Sequence, residues 1–181
     1  ARTLVVIGNP PWASKSKSRG HIVSEGMLAD FRKEADGSPL REKKIGVLSD
    51  DYVRFLRWGA EAVRQAPAGG VLAFVTNSSW LDGPVHRGMR AAMLRWFEGI
   101  EVYDLGGSAL IARESGRDDN VFGVRPGVSV VVAWRPAKHG ELVEGGRVHY
   151  VRIRGTRAEK LVALADKDLE LETLPPHSSG F

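Results

Sequence analysis

The chain has 181 residues, 43% of them hydrophobic and 27% charged, the length and composition of one ordinary folded domain, which excludes disorder of the whole chain. Its 26 Lys and Arg against 22 Asp and Glu leave a net charge of +4, a basic excess that permits nucleic-acid binding without demonstrating it. There is no cysteine, so disulfides, zinc–thiolate sites and cysteine nucleophiles are excluded. The longest apolar run, Val128 to Trp134 interrupted by Ser129, is too short to span a bilayer.

Leu4-Val5-Val6-Ile7, stopped by Gly8-Asn9-Pro10-Pro11, reads as a buried strand running into a loop. Arg2 leads into that strand directly, a pattern unlike a secretory leader, so a cytoplasmic location is expected. A strand of buried type so close to Ala1 also leads us to expect that the chain is a piece of something longer. Ala13 to Ser49 is polar, with charge runs at Lys15 to Arg19 and Arg41 to Lys44 and a short helix expected around Ser24 to Lys33. Asp50 and Asp51 then open a helix whose apolar face is Tyr52, Leu56, Gly59 and Val63, closed by Pro67 and Gly69-Gly70. Val71 to Val75 is a second buried strand, and a second helix is expected from Val85 to Phe97. Ile100 to Leu105 is a third strand, ending at Gly106-Gly107-Ser108. A long loop, Ala109 to Pro126, precedes the Val-rich fourth strand, Val128 to Arg135. Val148 to Arg154 is a candidate fifth strand, Ala158 to Ala165 a last helix, and Leu174 to Phe181 a frayed tail.

Strand, helix, strand, helix, strand implies an α/β fold with parallel strands and flanking helices. The last two strands are expected to be antiparallel. In such sheets ligands bind outside the carboxyl ends of the strands. Asn9 to Trp12, Thr76 to Trp80, and Gly106 to Ser108 would then share one rim.

Asn9-Pro10-Pro11-Trp12 has specific chemical potential on such a rim. Two prolines fix the backbone and remove two N–H donors, which leaves carbonyl acceptors. Asn9 adds a side-chain carbonyl and Trp12 a flat apolar face. Rigid acceptors beside an aromatic plate suit a planar ring with an exocyclic amino group, such as adenine. The nitrogen lone pair of that group is delocalised into the ring; acceptors aimed at its two hydrogens favour a more tetrahedral, more nucleophilic nitrogen. Stacking on an aromatic side chain contributes roughly 1–3 kcal/mol per base, which offsets much of the few kcal/mol needed to extrude a base from a duplex. The plain alternative is a Pro-Pro turn after a strand, with Trp12 as a core or lid residue.

Ile7-Gly8-Asn9-Pro10-Pro11-Trp12 resembles the catalytic tetrapeptide region of DNA methyltransferases that act on the exocyclic amino group of adenine. The usual last residue is Tyr or Phe, so Trp12 retains the ring and loses the phenol hydroxyl. Asp51 to Trp58, Phe74 to Gly83, Gly88-Met89-Arg90, Asp104-Leu105-Gly106-Gly107, Asp119 to Phe122 and Arg125 to Val128 resemble, in the same order, blocks of the large single-polypeptide restriction–modification enzymes of the type ISP and type IIG kind. A weaker echo occurs at Tyr150 and Gly155 to Lys160.

The resemblance implies a partial class I, Rossmann-like methyltransferase sheet acting on double-stranded DNA with S-adenosylmethionine as cofactor. It implies direct transfer to a flipped adenine, with Asn9 and the Pro10 carbonyl as acceptors, Pro11 holding the loop and Trp12 stacking. It also implies a Gly-rich cofactor turn after the first strand of the full sheet. No strand–Gly-x-Gly–helix unit occurs here. Residues 1–135 are therefore expected to be the C-terminal half of the catalytic domain and 136–181 the lead-in to a target-recognition region. A missing N-terminal cofactor-binding half would be the partner, and the isolated chain is expected to be inactive.

Lys15, Lys17, Arg19, Arg113, Arg117 and Arg125 can clamp phosphates beside the flipped base or be ordinary solvated charges. Asn77 can orient Asn9 or the base, or cap the turn that follows. The five histidines lack paired ligand spacing and read as surface residues, so no metal is expected. Asp118-Asp119 read as loop charges, Trp58, Trp96 and Trp134 as core, and Trp80 as core or pocket wall. Two rival readings remain open: a non-catalytic DNA-recognition or assembly module, and methylation of another planar amine, such as cytosine or a protein glutamine amide.

Overall fold

A computed structural model describes residues 2–12, 26–110, 117–137 and 146–175. Lys15, Lys17, Arg19 and Arg113 lie outside those residues, as do His21, His139 and His177. The described residues form one six-stranded sheet flanked by three α-helices and short 3-10 turns. In chain order the main elements are β1 (Leu4–Gly8), α1 (Asp51–Gln65), β2 (Gly70–Asn77), α2 (Arg87–Trp96), β3 (Gly99–Gly106), β4 (Val128–Arg135), β5 (Arg147–Arg152), α3 (Arg157–Ala165) and β6 (Glu172–Leu174). The helix expected around Ser24 to Lys33 is a 3-10 turn over Met27–Arg32. The one expected from Val85 begins as a 3-10 turn at Pro84–His86 and becomes α-helical at Arg87.

The strand order is β1-β2-β4-β3-β5-β6. β1, β2, β3 and β5 run one way, whereas β4 and β6 run the other. The reversal at β4 has a simple cause. The chain leaves β3 at the rim and re-enters the sheet at that same end, with no helix to carry it across, so it must run back. The expectation that both of the last two strands would be antiparallel is corrected at β5. β4 finishes at the far end of the sheet; β5 starts there and therefore runs toward the rim, parallel to β3. β6 reaches only the first residue of the expected frayed tail, Leu174, which pairs with Val148, and residues 176–181 lie outside the described residues.

One face of the sheet carries the main core. Leu72, Phe74, Ile100, Val102, Val131 and Ala133 meet Val53, Leu56, Ala60 and Val63 of α1 and Met89, Ala92 and Met93 of α2. α1 approaches β2 so closely that a Cβ on Gly59 would stand 2.6 Å from Leu72 Cδ1, so only glycine fits there without repacking. The other face is covered in part by α3, where Ala163 and Leu164 pack against a cluster of Leu105, Val121, Val128 and Ile153. That cover does not reach β1, whose Val5 and Ile7 are 61% and 79% exposed.

Some side chains depart from expectation. Trp58 is 42% exposed instead of core, because it falls on the outer face of α1. His86 is buried instead of on the surface, and its Nε2 lies 2.9 Å from the Tyr52 hydroxyl. Trp80 is core: it is fully buried and donates from Nε1 to Thr76 Oγ1 at 3.0 Å.

Candidate functional site

Because β1, β2 and β3 point the same way, the loops after their carboxyl ends share the rim. Between the β2 and β3 ends opens a cleft of about 1000 Å³, lined by Asn77, Ser78, Asp104, Gly107, Asn120 and Arg152 among others. Gly127 and Tyr150 also line it, so β4 and β5 contribute to the same concavity.

The wall on the β3 side is built around Asp104, a buried carboxylate. Its Oδ1 accepts from the Gly106 N–H at 2.9 Å. Its Oδ2 accepts from the Tyr150 hydroxyl and from Arg154 Nη2, each at 2.9 Å. Burial, then the neighbouring Asp104 charge, pushes the Tyr150 phenol well above its ordinary range. The phenol stays protonated and keeps donating.

The loop of residues 117–127 is fastened to the same end of β3. Asp118 Oδ2 accepts from the Gly107 N–H at 2.7 Å, and its Oδ1 pairs with Lys160 Nζ at 2.5 Å. Burial works to raise the Asp118 pKa, but the Lys160 ammonium and the Gly107 N–H outweigh it and hold the carboxyl below the usual range. Asn120 closes the loop on itself. Its Nδ2 donates to the Gly107 and Pro126 carbonyls at 3.0 and 2.8 Å, while its Oδ1 accepts from the N–H groups of Phe122 and Val124. Asp118 is thus a structural ion-pair partner, which corrects its reading as a loop charge.

The sequence-predicted residues fall as follows. Asn9 and Pro11 are exposed at the end of β1 and Pro10 is buried between them. Trp12 is partly buried against both apolar clusters. Its ring stands edge-on to Phe122, centroids 6.0 Å apart and planes at 73°. Its Nε1 is buried without a hydrogen-bond partner among the described residues. Phe122 is 51% exposed, and its closeness to Trp12 was not visible in the sequence. Asn77 caps the turn after β2, accepting from the Ser79 N–H at 2.7 Å, and also lines the cleft. Arg117 is exposed and paired with Asp119 at 2.9 Å, and Arg125 is exposed with its carbonyl accepting from the Ala109 N–H. The structure therefore brings Trp12 to the loop of 117–127, and places Asn77 and Arg117 in the cleft wall.

The residues described do not fit a nucleoside cofactor turn. Gly106 and Gly107 have φ of 54° and 69°, but their open sides face the chain itself. A Cβ on Gly106 would stand 2.5 Å from Asp118 Oδ2, and one on Gly107 2.6 Å from Asn120 Cα. That space is filled by protein, and a loop rather than a helix follows. Among the described residues no cluster of His, Asp and Glu could hold a metal ion, and no helix is long and apolar enough to cross a membrane.

No protein-family model and no curated protein matches the chain. Solved structures do. The ATP-dependent Type ISP restriction-modification enzyme LlaBIII bound to DNA matches with TM-score 0.77 and 26% identity, over 97% of this chain and 12% of that one. The chain is similar to a segment of a restriction–modification enzyme. A nuclease-deletion mutant of the Type ISP restriction-modification enzyme LlaGI, in complex with a DNA substrate mimic, shares the fold at TM-score 0.76 and 21% identity, over 98% of this chain and 18% of that one. The DrdV–DNA complex matches at TM-score 0.68 and 26% identity, over 97% of this chain and 17% of that one. The segment thus spans under a fifth of each of these proteins, and nearly all of its own length takes part in the likeness.

Proposed function

We propose that this segment is the base-binding part of a DNA adenine methyltransferase within a restriction–modification enzyme. The observation that carries the reading is Asn9-Pro10-Pro11-Trp12 at the carboxyl end of β1, with the Trp12 ring meeting a half-exposed Phe122. Asn9 Oδ1 and the Pro10 carbonyl accept from the two hydrogens of an extruded amino group and draw its nitrogen toward a tetrahedral, nucleophilic form. Pro11 fixes the direction of those acceptors. Trp12 and Phe122 exclude water and hold the ring by its faces and edge. Arg117 and Arg125 lie on the exposed loop beside that site, suited to phosphates of double-stranded DNA.

S-adenosylmethionine is the methyl donor this chemistry requires, and a further half of the complete protein would hold it. β1 supports that arrangement: among the described residues it is the outermost strand, and its Val5 and Ile7 side chains stand exposed, as expected where a sheet continues into a partner half.

Asn9→Ala in the complete enzyme tests the reading. Losing one preorganised polar contact to the reacting group typically costs about 3–4 kcal/mol of barrier, so methylation of duplex DNA falls by hundreds-fold or more while duplex affinity is kept. Near-normal turnover of the variant removes Asn9 from the mechanism. A second reading, in which the segment recognises DNA without chemistry, is favoured by the packing of Trp12 against both apolar clusters. It predicts that Asn9→Ala changes nothing.

A further inference from the structure

Lys160 is fully buried in α3, an unusual place for an ammonium group. Its ammonium donates to the Leu105 carbonyl at 2.5 Å and the Asp119 carbonyl at 2.6 Å, and forms an ion pair with Asp118 Oδ1 at 2.5 Å. Leu105 belongs to β3, and the two aspartates open the loop that carries Phe122. One side chain therefore joins β3, the loop of residues 117–127 and α3.

The lysine is itself held in place. Thr156 and Glu159 form a reciprocal cap at the start of α3, the Thr156 N–H reaching Glu159 Oε2 at 2.7 Å and the Glu159 N–H reaching Thr156 Oγ1 at 3.3 Å. Lys160 is the next residue and starts from a fixed turn. From Asp118 and Asp119 the restraint passes to Asn120, whose carbonyl oxygen Oδ1 accepts from the Phe122 N–H at 3.0 Å. The Asp119 N–H donates to the Gly155 carbonyl at 2.9 Å, which ties the loop to the α3 approach a second time.

Phe122 needs this support. It is half exposed and forms a T-shaped pair with Trp12, and a ring left half in water is weakly fixed by packing. A ring that is to meet an extruded base must already stand in position, because a misplacement of about 1 Å can cost a hundredfold in a positioned reaction.

We propose that Lys160 is a positioning residue for base capture, acting through Asp118 and Asn120 to hold Phe122 beside Trp12. The assignment rests on the base-binding reading given above. It makes α3, which follows β5, a contributor to the site without touching the substrate.

The test uses the complete enzyme and a duplex with 2-aminopurine at the target adenine. Wild type must brighten on binding; if it does not, base capture itself is wrong, and the failure is not that of Lys160. Given that brightening, Lys160→Met is expected to reduce it by about fivefold to a hundredfold, with duplex affinity by anisotropy unchanged. Asp118→Asn, at a partly exposed position where the side chain keeps its shape and loses only its charge, is expected to act in the same direction and carries the test if Lys160→Met does not fold. The cycle with Phe122→Ala is decisive. If Lys160 works through Phe122, the double variant extrudes the base no worse than Phe122→Ala alone. Additive losses, or full brightening by a folded Lys160→Met or by Asp118→Asn, overturn the proposal.

Discussion

Removing the Asp104 carboxylate should unbuild one wall of the cleft, and the cost can be worked from its contacts. In Asp104→Ala the Gly106 N–H, the Tyr150 hydroxyl and Arg154 Nη2 each lose an acceptor now at 2.9 Å. Hydrogen bonds to a charged partner are worth about 1.5–3 kcal/mol each, but losses at one residue are not additive. Arg154 is also not orphaned, because its Nη1 still reaches the backbone carbonyls of residue 104 and Ile153 at 3.0 and 3.2 Å. The net loss is therefore about 2–4 kcal/mol, near the lower end for a broken buried pair. At about 2–4 °C per kcal/mol for a chain of this size, the melting temperature drops by roughly 4–16 °C. Thermal denaturation followed by circular dichroism measures it. Tyr150→Phe, which removes only one donor, should fall by a fraction of that. If Asp104→Ala melts with the wild type, the carboxylate is solvated in solution and the wall is held by something else.

Trp12→Ala should lower extrusion of a 2-aminopurine target by roughly fivefold to a hundredfold, from about 1–3 kcal/mol per stacked base, whereas Trp12→Phe retains it; equal extrusion by all three makes Trp12 a lid residue. Arg117→Ala should weaken duplex binding and reduce the salt slope by about one phosphate contact, leaving the melting temperature unchanged because its pair with Asp119 is exposed. An unchanged slope would take Arg117 out of the interface. Burial, with Arg90 nearby, pulls the His86 imidazole from 6.5 down to about 4. The unfolded chain therefore binds a proton that the folded one refuses between those values. Stability is full above 6.5, falls as the pH drops and has lost roughly 3 kcal/mol by pH 4. His86→Gln should flatten that acid limb in urea titrations at several pH values, and an unaltered limb would refute the assignment.

The four principal strands and the two long helices were legible along the chain because burial writes itself into local pattern. Leu4 to Ile7, Val71 to Val75 and the Val-rich run after Gly127 are apolar by necessity, and α1 and α2 keep their apolar residues at helical spacing. Direction along β1, β2 and β3 followed from the helices between them, so the shared rim was legible too. Other features had no local signature. β6 is three residues long and exists only because β5 offers it an edge. Whether β5 ran with β3 or against it depended on which end of the sheet β4 finished at. Trp58 and His86 show the same limit, since a helix has an outer face that periodicity marks only when the apolar stripe is clean.

The chemistry divides along the same line. Asn9 to Trp12 is contiguous, so its rigid acceptors and aromatic plate could be read directly from four residues. The meeting of Trp12 with Phe122 spans more than a hundred positions of sequence. The same is true, over shorter spans, of the Lys160 contacts to Leu105 and Asp118 and the Asp104 contacts to Tyr150 and Arg154. A charge on a loop looks the same in sequence whether water or a buried ammonium answers it. Only tertiary folding brings the buried Lys160 ammonium within 2.5 Å, and that pairing turns Asp118 from a surface charge into a structural one.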